Sequence, residues 1–368
     1  MAPTPAIHAP QFNIPWLTIF SVLVLLASII LFIFIVWKLF IYFVRLNGRE
    51  EASIDVVTFE VRLPKDNEFE INVAEQMFAS LYSIYKGGWY NDIARQQEFV
   101  SFEAVGLPES IRFFVVCPIK ISTMVEKLIH GSYPTAEIMP VKEYNIFHEK
   151  AVVEFAEVYL AKENYYPIRT YEDLKTDGMS TLTSVLSKMQ PGEGAVFQMV
   201  ISPTGGNWAK GGRTFVSSIE KSKMSEEGPK ISAPQEVVQA VDKKCGKVGF
   251  NTAIRVVASS YDRRRAKAHL NNILSTLGQY NTLQMNRFKK KKIKFWEKRT
   301  FIREFLYRYP RLFGKESVLN TEELATVFHF PNKNILTPNI NWLVSKRAPA
   351  AEEVPSEGTW LGKAVFRG

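Results

Sequence analysis

The sequence is poor in the residues that build metal centres and disulfide frameworks, and it lacks the common nucleotide and nucleophile motifs. Its two cysteines, Cys117 and Cys245, are too few for a disulfide scaffold or a four-cysteine zinc site, and whether they form one bridge stays open. The five histidines never recur at the spacing of zinc ligands. Gly206 and Gly211 have the spacing of a phosphate-binding P-loop, but Gly212 stands where its lysine must be. Neither G-x-G-x-x-G nor G-x-S-x-G occurs, so we expect a chain that is not an enzyme and binds no metal or cofactor.

Apolar residues are plentiful, and the net charge is confined to one segment. Hydrophobic residues make up 46% of the 368 and aromatic residues 13%, which excludes a wholly disordered chain. The net charge is +9, from 46 Lys and Arg against 37 Asp and Glu. Residues 285–311 hold eleven of the basic residues and two of the acids, which alone gives +9, because the rest of the chain holds 35 of each sign. We call residues 285–311 the basic segment.

An uncharged, mostly apolar run covers residues 14–37. As a helix it spans roughly 36 Å, enough for a hydrocarbon core of ~30 Å. Trp16 and Trp37 stand near its ends as interfacial aromatics do, and Lys38 and Arg45 follow it, whereas no charged side chain precedes Lys38. The positive-inside rule therefore predicts a single-pass helix of the cytoplasmic (inner) membrane, with residues 1–13 outside and the rest of the chain in the cytoplasm. A secretory signal peptide would need a basic start, a shorter apolar core and a small-residue cleavage site, which this sequence lacks.

The order of elements after residue 50 predicts an α+β protein. Residues 50–146 follow the order strand, helix, strand, strand, helix, strand, which is the βαββαβ order of a ferredoxin-like domain. Residues 147–290 repeat that order and end in a predicted strand at 282–288, so we expect two tandem ferredoxin-like domains after the transmembrane helix. An insertion at about 204–247 is rich in Gly, Lys and Ser, and its composition favours a disordered surface loop with one helix at 234–243.

The remaining residues predict a basic helical region at 291–346 and a linker that begins at 347. Within the first, Asn320 can cap a helix over 320–328 with Glu323 as its capping-box partner, and Pro331 ends it. The linker contains Pro and alternates Ala with Glu.

The basic segment is the strongest local pattern. Its cations are Arg287, Lys289, Lys290, Lys291, Lys292, Lys294, Lys298, Arg299, Arg303, Arg308 and Arg311. Phe301, Phe305 and Tyr309 recur among them at helical spacing, which predicts a helix over 297–309 with one aromatic face. Three interpretations stay open. The first is a solvated basic face over a packed aromatic core. The second is a contact with anionic lipid, where each basic residue contributes roughly 1 kcal/mol. The third is nucleic acid, because clustered cations neutralise phosphates and aromatic rings stack on bases.

A smaller basic cluster, Arg263, Arg264 and Arg265, begins a predicted helix that Asp262 can cap. Three cations at the positive end of a helix dipole are unfavourable. An exposed turn and a contact with phosphate or an acidic partner are therefore the two alternatives.

Four motifs stand out along the chain: FEVRLP at 59–64, AEQMFASL at 74–81, EELATVFHFP at 322–331 and GTWLGK at 358–363. Together with one membrane helix they resemble the N-terminal region of bacterial membrane-anchored type IV secretion or conjugative DNA-transfer ATPases, of the kind found in small-genome candidate-phylum bacteria. The resemblance covers nearly the full chain. In that family the last two motifs lead into a RecA-like motor domain.

The resemblance implies a non-catalytic, membrane-anchoring and assembly region of a type IV secretion-like DNA-transfer (coupling) machine. The partners that it implies are the lipid bilayer, a hexameric ATPase domain or subunit, DNA, and further copies of the chain in a membrane complex. Residues 347–368 would be a linker and the start of a truncated ATPase domain, and ATP binding is not carried over because the P-loop residues are absent. The rival hypothesis is a structural or binding protein of the cell envelope that uses its basic segment on anionic lipid.

Overall fold

The computed structural model describes residues 16–88, 91, 97–224, 233–309 and 317–344. Its helices are α1 (Trp16–Ile54), α2 (Ile71–Leu81), α3 (Ile119–Ser132), α4 (Gly178–Leu186), α5 (Asn207–Met224), α6 (Gln235–Cys245), α7 (Arg263–Thr276), α8 (Lys298–Leu306) and α9 (Thr321–Val327). Its strands are β1 (Val56–Arg62), β2 (Val100–Leu107), β3 (Ser110–Pro118), β4 (Glu137–Val141), β5 (Val152–Leu160), β6 (Gly194–Thr204), β7 (Gly249–Ser260), β8 (Phe288–Lys290) and β9 (Ser317–Asn320). The predicted segments 1–13 and 347–368 lie outside the described residues.

Helix α1 is long and apolar enough to cross a membrane. The candidate span, Thr18–Leu46, has 29 residues, and its apolar part is not buried against the rest of the chain. The helix extends well past Trp37, where the uncharged run ends, and only Asp55 separates its last residue from β1. The apolar helix therefore continues into the folded domain with almost no linker.

The nine strands form one antiparallel sheet. Its strand order is β4-β1-β3-β2-β6-β7-β5-β8, and β9 pairs with the part of β7 that precedes its pairing with β5. Strands β2 and β6 join the two predicted blocks through a register that runs from Val100 opposite Ile201 to Gly106 opposite Ala195. We call this β2–β6 pairing the seam.

Both faces of the sheet are covered, at least in part. Helices α2, α3, α4, α7 and α9 pack on one face around the main core. On β1, for example, Phe59 and Val61 enter that core while Glu60 points to the other side, as the alternation of a strand requires. A smaller core on the opposite face contains Phe301 and Phe305 of α8.

The insertion in the second block is a pair of helices, so the prediction of a disordered loop over 204–247 was wrong for its described residues. Helix α5 has 18 residues, and α6 confirms the helix predicted at 234–243. Ala209 of α5 packs with Val237, Val241 and Cys245 of α6 in a core of their own. The glycines and lysines dominated the composition, but the small apolar set was enough to bury one side of each helix.

Two further predictions differ from the structure. Residues 282–287 form a turn that the Thr282 amide closes by donating to the Asn286 carbonyl, and the last strand of the second block begins only at Phe288. The predicted helical region 291–346 also contains a strand, β9, directly before α9. The capping box of Asn320 and Glu323 at the start of α9 is confirmed, with the Glu323 amide donating to the Asn320 side chain at 2.9 Å.

Candidate functional site

The basic segment begins on the edge strand of the sheet. In β8, Phe288 is buried while Lys289 and Lys290 are exposed, with Lys290 in register with Val158 of β5. The Lys291 amide donates one more bond to the Glu157 carbonyl at 2.8 Å before the chain leaves the edge. The lysine run therefore lies along an open sheet edge.

Helix α8 turns Phe301 and Phe305 onto the sheet, as their spacing predicts, but the helix ends at Leu306 and not at residue 309, so Tyr309 follows it. The ring of Phe301 stacks on Phe155 of β5 with centroids 4.5 Å apart, and Phe305 meets Phe147 edge-on. Both α8 rings are only 4% exposed. A buried phenylalanine contributes roughly 1.5–3 kcal/mol, so this side alone fixes the helix to the sheet.

A polar row lies in this interface and crosses the seam. Glu103 of β2, Gln198 of β6, Arg255 of β7 and Glu157 of β5 stand opposite one another in register, and each is buried. Gln198 donates to Glu103 at 2.9 Å, and Arg255 donates to Gln198 at 3.3 Å. Arg255 also donates to the backbone carbonyl of Tyr309 at 2.6 Å, so the row holds the chain that follows α8.

Arg308, which follows α8, adds a second arginine to the polar row by binding Glu103. Its Nε donates to Glu103 Oε1 at 3.0 Å, and the hydroxyls of Ser101 and Tyr144 donate to the same carboxylate. Burial alone would raise the pKa of Glu103, but the Arg308 guanidinium and these hydrogen bonds outweigh it and hold that pKa below its ordinary value. Arg308 itself has φ +52°, a conformation that non-glycine residues rarely adopt. Arg308 is therefore a buried cation and does not belong to the exposed basic surface.

The other cations of the described basic segment point outward. The exposed ones are Arg287, Lys289, Lys290, Lys292, Lys294, Lys298, Arg299 and Arg303. None of these eight makes an ion pair with a carboxylate among the residues that the structure describes. Lys291 is half-buried and lies 3.6 Å from Glu157, and Arg311 lies outside the described residues. The segment is thus a solvated basic surface over a packed aromatic core, with eight cations available to an anionic partner.

The smaller arginine cluster at the start of α7 has mostly intramolecular partners. Arg265 pairs with the buried Glu193 at 2.6 Å, and Arg263 pairs with Glu154 at 3.1 Å. The side chain of Arg264 is 95% exposed, although its amide donates to the capping Asp262. The cluster and the lysine run border the same strand, β5.

The residues predicted as membrane-interface anchors lie along α1. Trp16 is 83% exposed and Trp37 is 47% exposed, and the Lys38 ammonium lies 5.3 Å from the ring of Phe34. Arg45 is half-buried. Trp16 and Arg45 stand near the two ends of the candidate span Thr18–Leu46, whereas Trp37 and Lys38 lie inside it.

On the face of the sheet that carries the main core, α9 connects the two predicted blocks through charged side chains. Glu323 pairs with Lys244 of α6 at 2.9 Å, and both side chains are at most 1% exposed. Lys247 donates both to Glu322 at 2.7 Å and to Glu75 of α2 at 2.6 Å. Burial raises the pKa of Glu323 and lowers that of Lys244. The motif at 322–331 is therefore a structural centre of the fold.

His329 follows α9 and is held by two acceptors. Its Nδ1 lies 2.9 Å from the Ala325 carbonyl and its Nε2 lies 3.0 Å from the Asp177 carboxylate, so these two acceptors favour the doubly protonated, cationic ring. Burial lowers the pKa of His329, but Asp177 outweighs it, and the net pKa is raised.

Asp177 also borders an open cavity of about 630 Å³ with both polar and apolar walls. Other residues around it are Glu70, Asn72, Lys175, Thr326 and Asn334. Among the described residues, no group of three or more His, Cys, Asp or Glu is placed to hold a metal ion. Both cysteines are free and buried.

A family model for a domain of unknown function, DUF8128, matches residues 46–343. That range covers most of the chain. The chain belongs to the DUF8128 family. No curated protein matches the sequence. The DUF8128 match contains the whole sheet, the basic segment and α9, while most of α1 precedes it.

Sequence reasoning missed the residues beneath the basic surface. Arg308 was counted among the cations but not separated from them, and Glu103, Gln198 and Arg255 went unnoticed. A charged or amide residue in the middle of each of three apolar strands was the available indication, because buried polar groups need partners in the same interior.

Proposed function

We propose that this chain is the non-catalytic, membrane-anchoring and assembly region of a type IV secretion-like DNA-transfer machine. It fixes a rigid platform to the cytoplasmic side of the inner membrane, docks a hexameric ATPase and contacts DNA through its basic segment. It does so as a homo-oligomer within a membrane complex.

The platform in this proposal consists of two ferredoxin-like units. The two blocks contribute four strands each, β1–β4 and β5–β8. When the strands of a block are numbered 1 to 4 along the chain, both blocks have the spatial order 4-1-3-2, and β2 and β6 meet at the seam. Helices follow the first and third strand of each block, as in the βαββαβ motif. This shared order supports a tandem pair joined edge to edge.

The observation that carries the proposal is the position of the motif at 322–331. Together with GTWLGK at 358–363, that motif is the more specific part of the resemblance to DNA-transfer ATPases. Its acids pair with Lys244 and Lys247 of the second block. Its Phe328 packs against Phe102 and Phe113 of the first block, so the motif contacts both blocks. We therefore expect proteins that carry this motif to share the packing of the two blocks around it.

The DNA part is tested with the full chain in detergent, by the anisotropy of labelled DNA across a salt series. The variant replaces four lysines with glutamate: Lys289, Lys290, Lys291 and Lys292. The slope of log affinity against log salt falls by about 0.9 for each duplex phosphate that the protein no longer neutralises, so loss of the three exposed lysines among the four changes it by about 2.7. The matched control reverses four exposed lysines elsewhere, namely Lys127, Lys175, Lys210 and Lys221.

The proposal expects the control to bind like the wild type, because both variants have the same net charge. If the wild type fails to bind DNA even at low salt, or if both variants lose binding equally, the basic segment is not a DNA contact.

A further inference from the structure

We propose that the outer face of α8 is a second membrane contact, which binds the headgroups of anionic lipids and inserts aliphatic side chains beneath them. The contact rests on the anchoring part of the proposed function and not on its DNA part.

The geometry of α8 supplies two parallel stripes on its solvent side. Arg299 and Arg303 are one turn apart, and Ile302 and Leu306 form a second pair one turn apart beside them. Ile302 is 39% exposed and Leu306 is 44% exposed, although the inner side of the helix is fully occupied by its phenylalanines. A nine-residue helix thus presents apolar and cationic rows together.

This combination fits lipid better than nucleic acid. A nucleic acid binds cations at its phosphates and stacked rings at its bases, but it offers little to exposed aliphatic side chains. The boundary between headgroups and acyl chains accepts both kinds of side chain. Just before α8, Trp296 is 61% exposed with the Lys294 ammonium 5.0 Å from its ring, a pairing typical of membrane interfaces.

The anchor brings this face to the bilayer. Residues 47–54, which follow the candidate span, are helical and rise about 12 Å before the sheet begins. Eight strands side by side are about 34 Å wide, so α8 stays within a few tens of ångströms of the membrane surface. A tether of that length gives the bilayer a high effective concentration at α8, and the charges are complementary to an anionic leaflet.

The test uses the full chain in nanodiscs, with a spin label at Ile302→Cys. The two native cysteines are buried, and burial raises the pKa of Cys117 to about 12, so the new thiol is labelled selectively. The matched control is Leu336→Cys, which is 87% exposed and lies outside the basic segment. Accessibility of each label to oxygen and to a polar relaxing agent is compared in phosphatidylcholine alone and in phosphatidylcholine mixed with phosphatidylglycerol.

We expect the label at position 302, but not at 336, to enter lipid when phosphatidylglycerol is present. Arg299→Gln with Arg303→Gln should lower that bound population about 30-fold. A label that stays in water in both lipids overturns the contact, while leaving DNA binding by the lysine run untouched. Equal lipid exposure at 336, or immobilisation at 302 by added DNA instead of anionic lipid, also overturns it. A chain that fails to enter nanodiscs at all would refute the anchor itself.

Discussion

The buried guanidinium of Arg308 should hold the C-terminal part of the basic segment on the sheet. Arg308→Leu removes the main cationic partner of Glu103, whose side chain has no exposure to water. Removing one partner of a buried ion pair costs about 3–5 kcal/mol, because the other charge stays behind without compensation. Solvent screening does not reduce this figure, since the Arg308 side chain is only 6% exposed.

For a domain of this size that loss lowers the Tm by roughly 6–10 °C. The assay is thermal unfolding of the full chain in detergent, followed by intrinsic fluorescence. Arg303→Leu is the matched control, because it removes the same charge from the outer face of the same segment and should change stability by less than about 0.5 kcal/mol.

A double variant separates the contribution of the Arg308–Glu103 pair to stability from the effect of losing the other contacts of Arg308. With Glu103→Gln present, the further loss caused by Arg308→Leu should shrink by at least about 1 kcal/mol, since no buried carboxylate is left unpaired. If Arg308→Leu and Arg303→Leu have equal effects, or if the double variant is simply additive, the buried pair does not hold this segment.

Two further perturbations test the other face and the insertion. The contribution of the His329–Asp177 pair is complete between the ordinary pKa values of the two groups, 3.8 and 6.5, and is lost as the pH rises through the raised pKa of His329. His329→Gln should therefore lower the Tm most at about pH 6 and less as the pH rises through the raised pKa of His329, and an effect that grows with pH would contradict the cationic ring. Gly212→Ala places a Cβ 2.4 Å from the Cys245 sulfur, so it should destabilise the α5–α6 pair by about 1–3 kcal/mol despite the better helix propensity of alanine. Gly211→Ala, next to it, meets only ring atoms at 3.3 Å or more and should be neutral or stabilising in the same thermal assay.

The sequence predicted elements wherever one periodicity dominates. Alternation identified β1, and the recurrence of aromatic residues identified α8 together with the side that it buries. It failed in the insertion, because the apolar residues of α5 stand among many polar ones; they are Trp208, Ala209, Phe215, Val216 and Ile219. It also missed β9, since a four-residue strand before a capping box has too few residues to show an alternation.

The polar row could not be predicted, because it depends on register between strands that are distant in sequence. Glu103, Gln198 and Arg255 become neighbours only once β2, β6 and β7 pair with their particular alignment. A shift of one residue would turn each of them to the opposite face. The same holds for the charges around α9, whose partners come from α2 and α6.

In the basic segment, the packing on the inner side therefore fixes the position of the charges on the outer side. The phenylalanines of α8 and the buried Arg308 fix the helix from its inner side, so the exposed arginines stand on a rigid element and not on a flexible tail. A rigid cation loses less conformational freedom when it meets an anionic surface, which leaves more of the electrostatic gain for binding. The two sets of cations then differ in kind: those along β8 border an open strand edge, and those on α8 lie beside exposed aliphatic side chains. We therefore expect this difference in neighbours, more than the net charge of +9, to decide which anion each set binds.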